Sequence, residues 1–92
     1  MRARIEITKL DEQRYTVVVS DGVGRSSHLV TIAPTYCQKL LGGRASPEEL
    51  LRRSFEFLLA REPKESILAE FDLAVIQRYF PEYQREIRRL AH

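Results

Sequence analysis

The stretch Ser46–Glu62, SPEELLRRSFEFLLARE, constrains the fold of this chain more than any other. Ser46, Pro47 and Glu49 form a helix-start pattern. A hydroxyl accepts a free backbone N–H, a proline ring suits the first helical position, and a carboxylate three residues on returns the bond. Glu48 and Glu49 also lie at the positive end of the helix dipole. At the helical repeat, Leu50, Leu51, Phe55, Phe57, Leu58 and Leu59 spread over roughly half of the circumference. Glu49, Arg52, Arg53 and Glu56 fill the rest, with Glu49–Arg53 and Arg52–Glu56 spaced as i,i+4 ion pairs. So wide an apolar face needs more than one packing partner: the C-terminal segment of the chain, a second subunit, or both. Ser54 falls inside it. There its small side chain permits close packing and its hydroxyl can bond back to the Leu50 carbonyl; the sharper alternative is a polar handle in a pocket.

Upstream, the pattern changes from a period of 3.6 to a period of 2. Residues 3–9, 14–20 and 25–33 each alternate apolar and polar side chains, the mark of half-buried strands. A polar turn, Asp11-Glu12-Gln13, joins the first two. Asp21-Gly22-Val23-Gly24 joins the second pair and offers glycines for a turn with positive φ. Pro34 then ends the strand pattern. PTYCQKLLGG reads as a short helix, with Tyr36, Cys37, Leu40 and Leu41 on one side and Gly42-Gly43 as its stop.

Downstream, Pro63 ends the main helix. Ile67, Leu68 and Phe71 suggest a helical turn over Glu65–Phe71. Asp72 is placed to cap LAVIQRYF, and Pro81 opens a last segment with Tyr83, Ile87 and Leu90 on one stripe. The pattern predicts one α+β domain over residues 1–92: an N-terminal three-stranded antiparallel meander packed on one face by three to five short and medium helices.

Charge and cysteine content narrow the function. The net charge is +2 and evenly spread: residues 1–33 carry five basic and four acidic groups, residues 34–92 ten and nine. Nucleic-acid binders usually show a stronger local excess. The single cysteine cannot form an internal disulfide and suits a reducing cytosol. No apolar run approaches a membrane span, and MRARIEITK has no signal-like apolar core. A small soluble cytoplasmic protein without a membrane partner is expected.

The blocks SPEELLRRSFEFLLAREPKESIL and FDLAVIQRYFPEY resemble a family of short bacterial proteins of no established activity, over about residues 28–83. That likeness implies no function. A strand followed by GG and SPEELL is similar to the helix entry of OsmC-like peroxide reductases, whose chemistry uses two helical cysteines. This chain has only Cys37, outside the matching helix. The meander and amphipathic helix resemble the HicB-type antitoxin core, which implies toxin neutralisation. That core needs a further strand after the helix, and the sequence shows none.

Chemistry-bearing residues are few. His28 shares a strand face with Val30 and Ile32, and reads as a sheet-edge or partly buried histidine before a general base. Cys37 reads as an inert core thiol before a redox one. His28, His92 and Cys37 lack metal-ligand spacing, and no cofactor is expected. Gly22-Val23-Gly24-Arg25 precedes a strand and lacks the Lys-Ser/Thr of a phosphate loop. Arg85, Arg88 and Arg89 are the densest basic group, interleaved with Glu82 and Glu86 as on a solvated helix face; phosphate contact is the alternative. Phe57, Tyr79 and Tyr83 join them as a candidate interaction surface, since tyrosine is enriched at interfaces. The expectation is a non-enzymatic protein-interaction module, homodimeric, its protein partner unspecified. The alternative is a regulatory or antitoxin-like protein that binds nucleic acid or a toxin.

Overall fold

The computed structural model describes residues 3–43 and 45–90, the side chain of Leu90 excepted. Its first half is the expected meander: β1 (Arg4–Lys9), β2 (Arg14–Ser20) and β3 (Arg25–Thr31), antiparallel throughout. Two aspartates shape the turns. Asp11 accepts from the backbone N–H of Gln13 and Arg14 at 2.9 and 2.8 Å. Asp21 does the same for Val23 and Gly24 at 2.8 and 2.9 Å. The second turn therefore departs from expectation. Among the described residues, positive φ occurs only at Gly42 and Gly43. The Asp21 carboxylate, rather than glycine's freedom, folds the β2–β3 turn.

Two helices come next. α1 (Pro34–Leu41) stops at Gly42, whose φ of 61° is the left-handed conformation that glycine adopts without strain. α2 (Pro47–Leu59) starts with the Ser46 hydroxyl accepting from the Glu49 N–H at 3.1 Å. The reciprocal half of the capping box is replaced: the Glu49 carboxylate takes Arg53 Nε at 2.9 Å. Arg53 also reaches Glu56 at 3.5 Å, so Glu56 pairs there and not with Arg52. The helix ends at Leu59, before the expected boundary at Glu62.

The largest correction lies after α2. Residues 65–71 are not one helical turn. A 3₁₀ turn at Lys64–Ser66 gives way to a strand, β4 (Glu70–Asp72), parallel to β3 with Val30 opposite Phe71. The sheet is thus four-stranded and mixed, in the order β1-β2-β3-β4. Asp72 does cap the next turn, accepting from Ala74 N–H at 3.0 Å. That 3₁₀ turn, over Leu73–Val75, leads into a single helical turn, α3 (Ile76–Tyr79), and then into α4 (Tyr83–Leu90).

One face of the sheet carries the core. Ile5, Tyr15, Val17, Val19, His28, Val30 and Phe71 point inward and are buried under the helices. The opposite face carries Glu6, Thr8, Val18, Ser27 and Leu29, exposed or half-exposed. The broad face of α2 is covered within one chain. Leu50, Leu51 and Phe55 are fully buried, Phe57 is 3% exposed, and Leu59 alone is half-buried. The covering elements include β1 and α4, from which Tyr83 and Ile87 contribute fully buried side chains.

Candidate functional site

The last turn of α2 borders an open apolar cleft of about 420 Å³. Its buried floor is Leu58 of α2, Ile67, Phe71 of β4 and Ile76 of α3. Its rim is Leu68 and Tyr79, which are 49% and 68% exposed. Glu62 and Ser66 supply polar groups at the edge. Large apolar side chains this exposed, grouped around one depression, mark a contact surface more than scattered ones do.

The wall that presents Leu68 is held by His28. A carbonyl only accepts, so His28 Nδ1 donates to the Leu68 carbonyl at 2.8 Å. In the neutral ring, Nε2 is then the acceptor for the Ser26 hydroxyl at 2.8 Å. The ring is 2% exposed and lies 5.4 Å from Phe55. Both nitrogens are occupied, so His28 acts as a clasp between β3 and the segment leading to β4. The Leu29 N–H to Ala69 carbonyl bond at 2.8 Å reinforces that junction.

Cys37 is 8% exposed, and burial raises its thiol above the ordinary value. That is the opposite of what a reactive thiolate needs. Neither His28 nor Cys37 lines the cleft or a second cavity beside β1. Among the described residues, no group of three or more histidine, cysteine or acidic side chains is placed to hold a metal; His92 lies outside them.

The candidate interaction surface divides. Tyr79 sits on the cleft rim as an exposed anchor. Phe57 and Tyr83 do not: both belong to the core. Phe57 packs edge-on to Phe80 and Tyr83, at 5.7 and 5.3 Å between ring centres, under the Arg61 guanidinium 3.6 Å above its face. The Ser54 hydroxyl donates to the Leu50 carbonyl at 2.7 Å, as its position in the helix predicts. With its one proton committed there, it accepts from the Tyr83 hydroxyl at 2.6 Å. Burial holds the Tyr83 phenol far above its ordinary pKa despite that bond. Ser54 is thus a buried polar joint between α2 and α4, not a pocket handle.

Arg85, Arg88 and Arg89 lie on the exposed face of α4. Arg88 donates to the Leu40 carbonyl at 3.3 Å, and Arg89 pairs with Glu86 at 3.2 Å. Two of the three are engaged within the chain.

The second cavity, of about 710 Å³, lies by the edge of β1, bounded by Ala3, Ile5, Arg52, Glu56, Leu59 and the Lys64 region. Lys64 had no sequence signal: it falls between the proline that ends the main helix and the segment expected as a helical turn. Its side chain is 5% exposed, with Nζ donating to Asp21 at 3.0 Å and to Glu65. Those bonds, the Glu65 one foremost, raise the lysine pKa. Chiefly through Lys64, and then through the Gly24 and Val23 N–H groups, the Asp21 carboxyl is lowered to about 2. This pair ties the β2–β3 turn to the start of the cleft wall. Set against family models, curated proteins and solved structures, the chain matches none of them.

Proposed function

We propose that this chain is a non-enzymatic protein-interaction module of the cytosol, whose cleft receives an apolar segment of a protein partner. One observation carries the reading. Leu68 and Tyr79 stand exposed on the rim of a depression floored by Leu58, Ile67, Phe71 and Ile76. An aromatic anchor beside a desolvated pocket is the usual centre of binding energy at an interface. The free thiol of Cys37 suits a reducing compartment. Self-association belongs to the same reading, although the face of α2 no longer motivates it.

The test is a paired capture from native extract, using the wild-type chain and the Tyr79→Ala and Leu68→Glu variants. A protein held by the wild type and lost from both variants supports the reading. A protein held equally by all three, or by none, removes the cleft from it.

A second reading gains one specific observation. The antitoxin-like core needs a strand after the amphipathic helix, and β4 is such a strand. On that reading, reversing charge at Arg88 and Arg89 weakens a salt-sensitive nucleic-acid interaction. Absence of binding to mixed nucleic acid at low salt would sink that branch.

A further inference from the structure

We infer that β1 is a self-pairing edge: two copies of this chain join β1 to β1, antiparallel, about a twofold axis at Ile5, into one continuous sheet. The inference rests on the interaction-module reading but uses a surface separate from the cleft.

Hydrogen-bond alternation decides which backbone groups are free. Leu10 N–H donates to the Arg14 carbonyl at 2.9 Å, and the β1–β2 register carries that pairing on to Thr8–Thr16, Glu6–Val18 and Arg4–Ser20. In an antiparallel ladder, hydrogen-bonded pairs recur at every second residue. The even-numbered residues of β1 therefore turn their N–H and C=O toward β2, and Ala3, Ile5 and Ile7 turn theirs outward. The β2–β3 ladder agrees. Asp21 N–H to Gly24 carbonyl at 2.9 Å and Ile32 N–H to Gln13 carbonyl at 2.7 Å assign the odd residues of β2 to β3. The even ones are left for β1. The strand order places β1 at the outer edge of the sheet, and no described residue pairs with that edge.

A twofold pairing that keeps both core faces on one side must place odd residues opposite odd ones. Few registers satisfy this, and side chains separate them. Centred on Arg4, the strands set two arginines opposite each other. Centred on Glu6, they set two glutamates opposite. Centred on Ile7, they put Ile5 against Lys9. Centred on Ile5, they put Arg4 against Glu6 of the second copy, and Glu6 against its Arg4. Both lie at non-hydrogen-bonded positions, where side chains come closest. Ile5 then meets Ile5, and Ala3 meets Ile7, on the core face.

The edge is also unfinished as a monomer surface. Ala3, Ile7 and Leu59 are half-buried apolar residues at the margin of the core. The second cavity opens beside them, between α2 and β1. A second strand on β1 would cover that margin. Arg4 and Glu6 are 79% and 60% exposed and 4.0 Å apart within one chain, so they can exchange partners without disturbing the fold. A strand-edge contact of this length falls at the small end of stable interfaces, so assembly depends on concentration.

Sedimentation of four samples tests this: the wild type, Arg4→Glu alone, Glu6→Arg alone, and an equimolar mixture of the two variants. Arg4→Glu opposes carboxylates across the axis, and Glu6→Arg opposes guanidinium groups. Each is expected to self-associate roughly tenfold more weakly than the wild type, or worse. The mixture restores opposite charges at both positions, and is expected to form a mixed dimer about as tight as the wild-type one. Unchanged thermal melts of dilute samples show that both variants remain folded. A wild type that stays monomeric at high concentration overturns self-association and leaves the cleft reading to its own capture test. A wild-type dimer with no charge dependence, or variants that do not rescue each other, overturns this edge and register while self-association stands.

Discussion

Two apolar surfaces meet at the last turns of α2, and they differ in coverage rather than composition. On one side Phe57 and Tyr83 are sealed under α4, with Arg61 laid over the Phe57 ring, and Phe80, edge-on to Phe57, passing from this corner to the cleft. On the other, Leu58, Ile67, Phe71 and Ile76 form a floor that stays open under Leu68 and Tyr79. The sealed side has an eight-residue helix bolted down by the Ser54–Tyr83 bond. The open side is itself built from short pieces: two 3₁₀ turns, a three-residue strand and a four-residue helix. Exposure here accompanies a floor assembled from short elements.

The contrast can be broken most forcefully at Tyr83. Tyr83→Ala should lose about 3–5 kcal/mol by emptying a fully buried aromatic position, which leaves a domain of this size close to unfolded. A urea midpoint near that of the wild type would show that the corner does not anchor α4.

Asp21→Asn keeps the turn's side-chain acceptor and removes the negative charge that faces Lys64. The folded carboxyl lies near pH 2, below its ordinary value of 3.8. Its contribution is therefore complete above about pH 4 and is lost as pH falls through about 2. The stability gap between wild type and variant should be constant near neutrality and close across that acid window. The raised Lys64 pKa acts at the other end: its share is present below the ordinary lysine value of 10.5 and lost as pH rises through the raised one. A gap that widens on acidification would contradict the assignment.

Tyr83→Phe removes only the bond to Ser54, and should cost about 1 kcal/mol in the same urea titration. Smallest of all, Tyr79→Ala should change stability by less than about 0.5 kcal/mol, while abolishing capture of the cleft partner. If it destabilises as much as Tyr83→Phe, the two sides of α2 are not different in kind.

Much of this is readable from the residues where local chemistry decides structure. Ser46 and Asp72 act as the caps their positions suggest, and Gly42 stops α1. The alternation of Ile5, Ile7, Val17, Val19, Val30 and Ile32 sets the inward face of the meander. β4 is not readable in that way. Three residues are too few to show alternation, and Ile67, Leu68 and Phe71 share a helical spacing. What makes the segment extended is distant: the edge of β3 and the His28 clasp. Lys64 is hidden for a related reason, because its burial depends on a turn 43 residues away in sequence. The candidate site divides along the same line. Tyr79 and Tyr83 look alike in RYFPEY, and only the docking of α4 sends one to the rim and the other to the core.

The parallel pairing of β4 also has a consequence in time. A parallel neighbour cannot be reached by a tight turn, and both α1 and α2 lie between β3 and β4. The chain must close that long loop before the fourth strand gains anything, so β4 docks late in folding and is the first part of the sheet to open. Its amides should exchange with solvent faster than those of β2, which is paired on both sides. Phe71 and Leu68 ride on this late segment. A partner seated in the cleft would therefore slow that local opening, and the protection of β4 would report occupancy without any label on the partner.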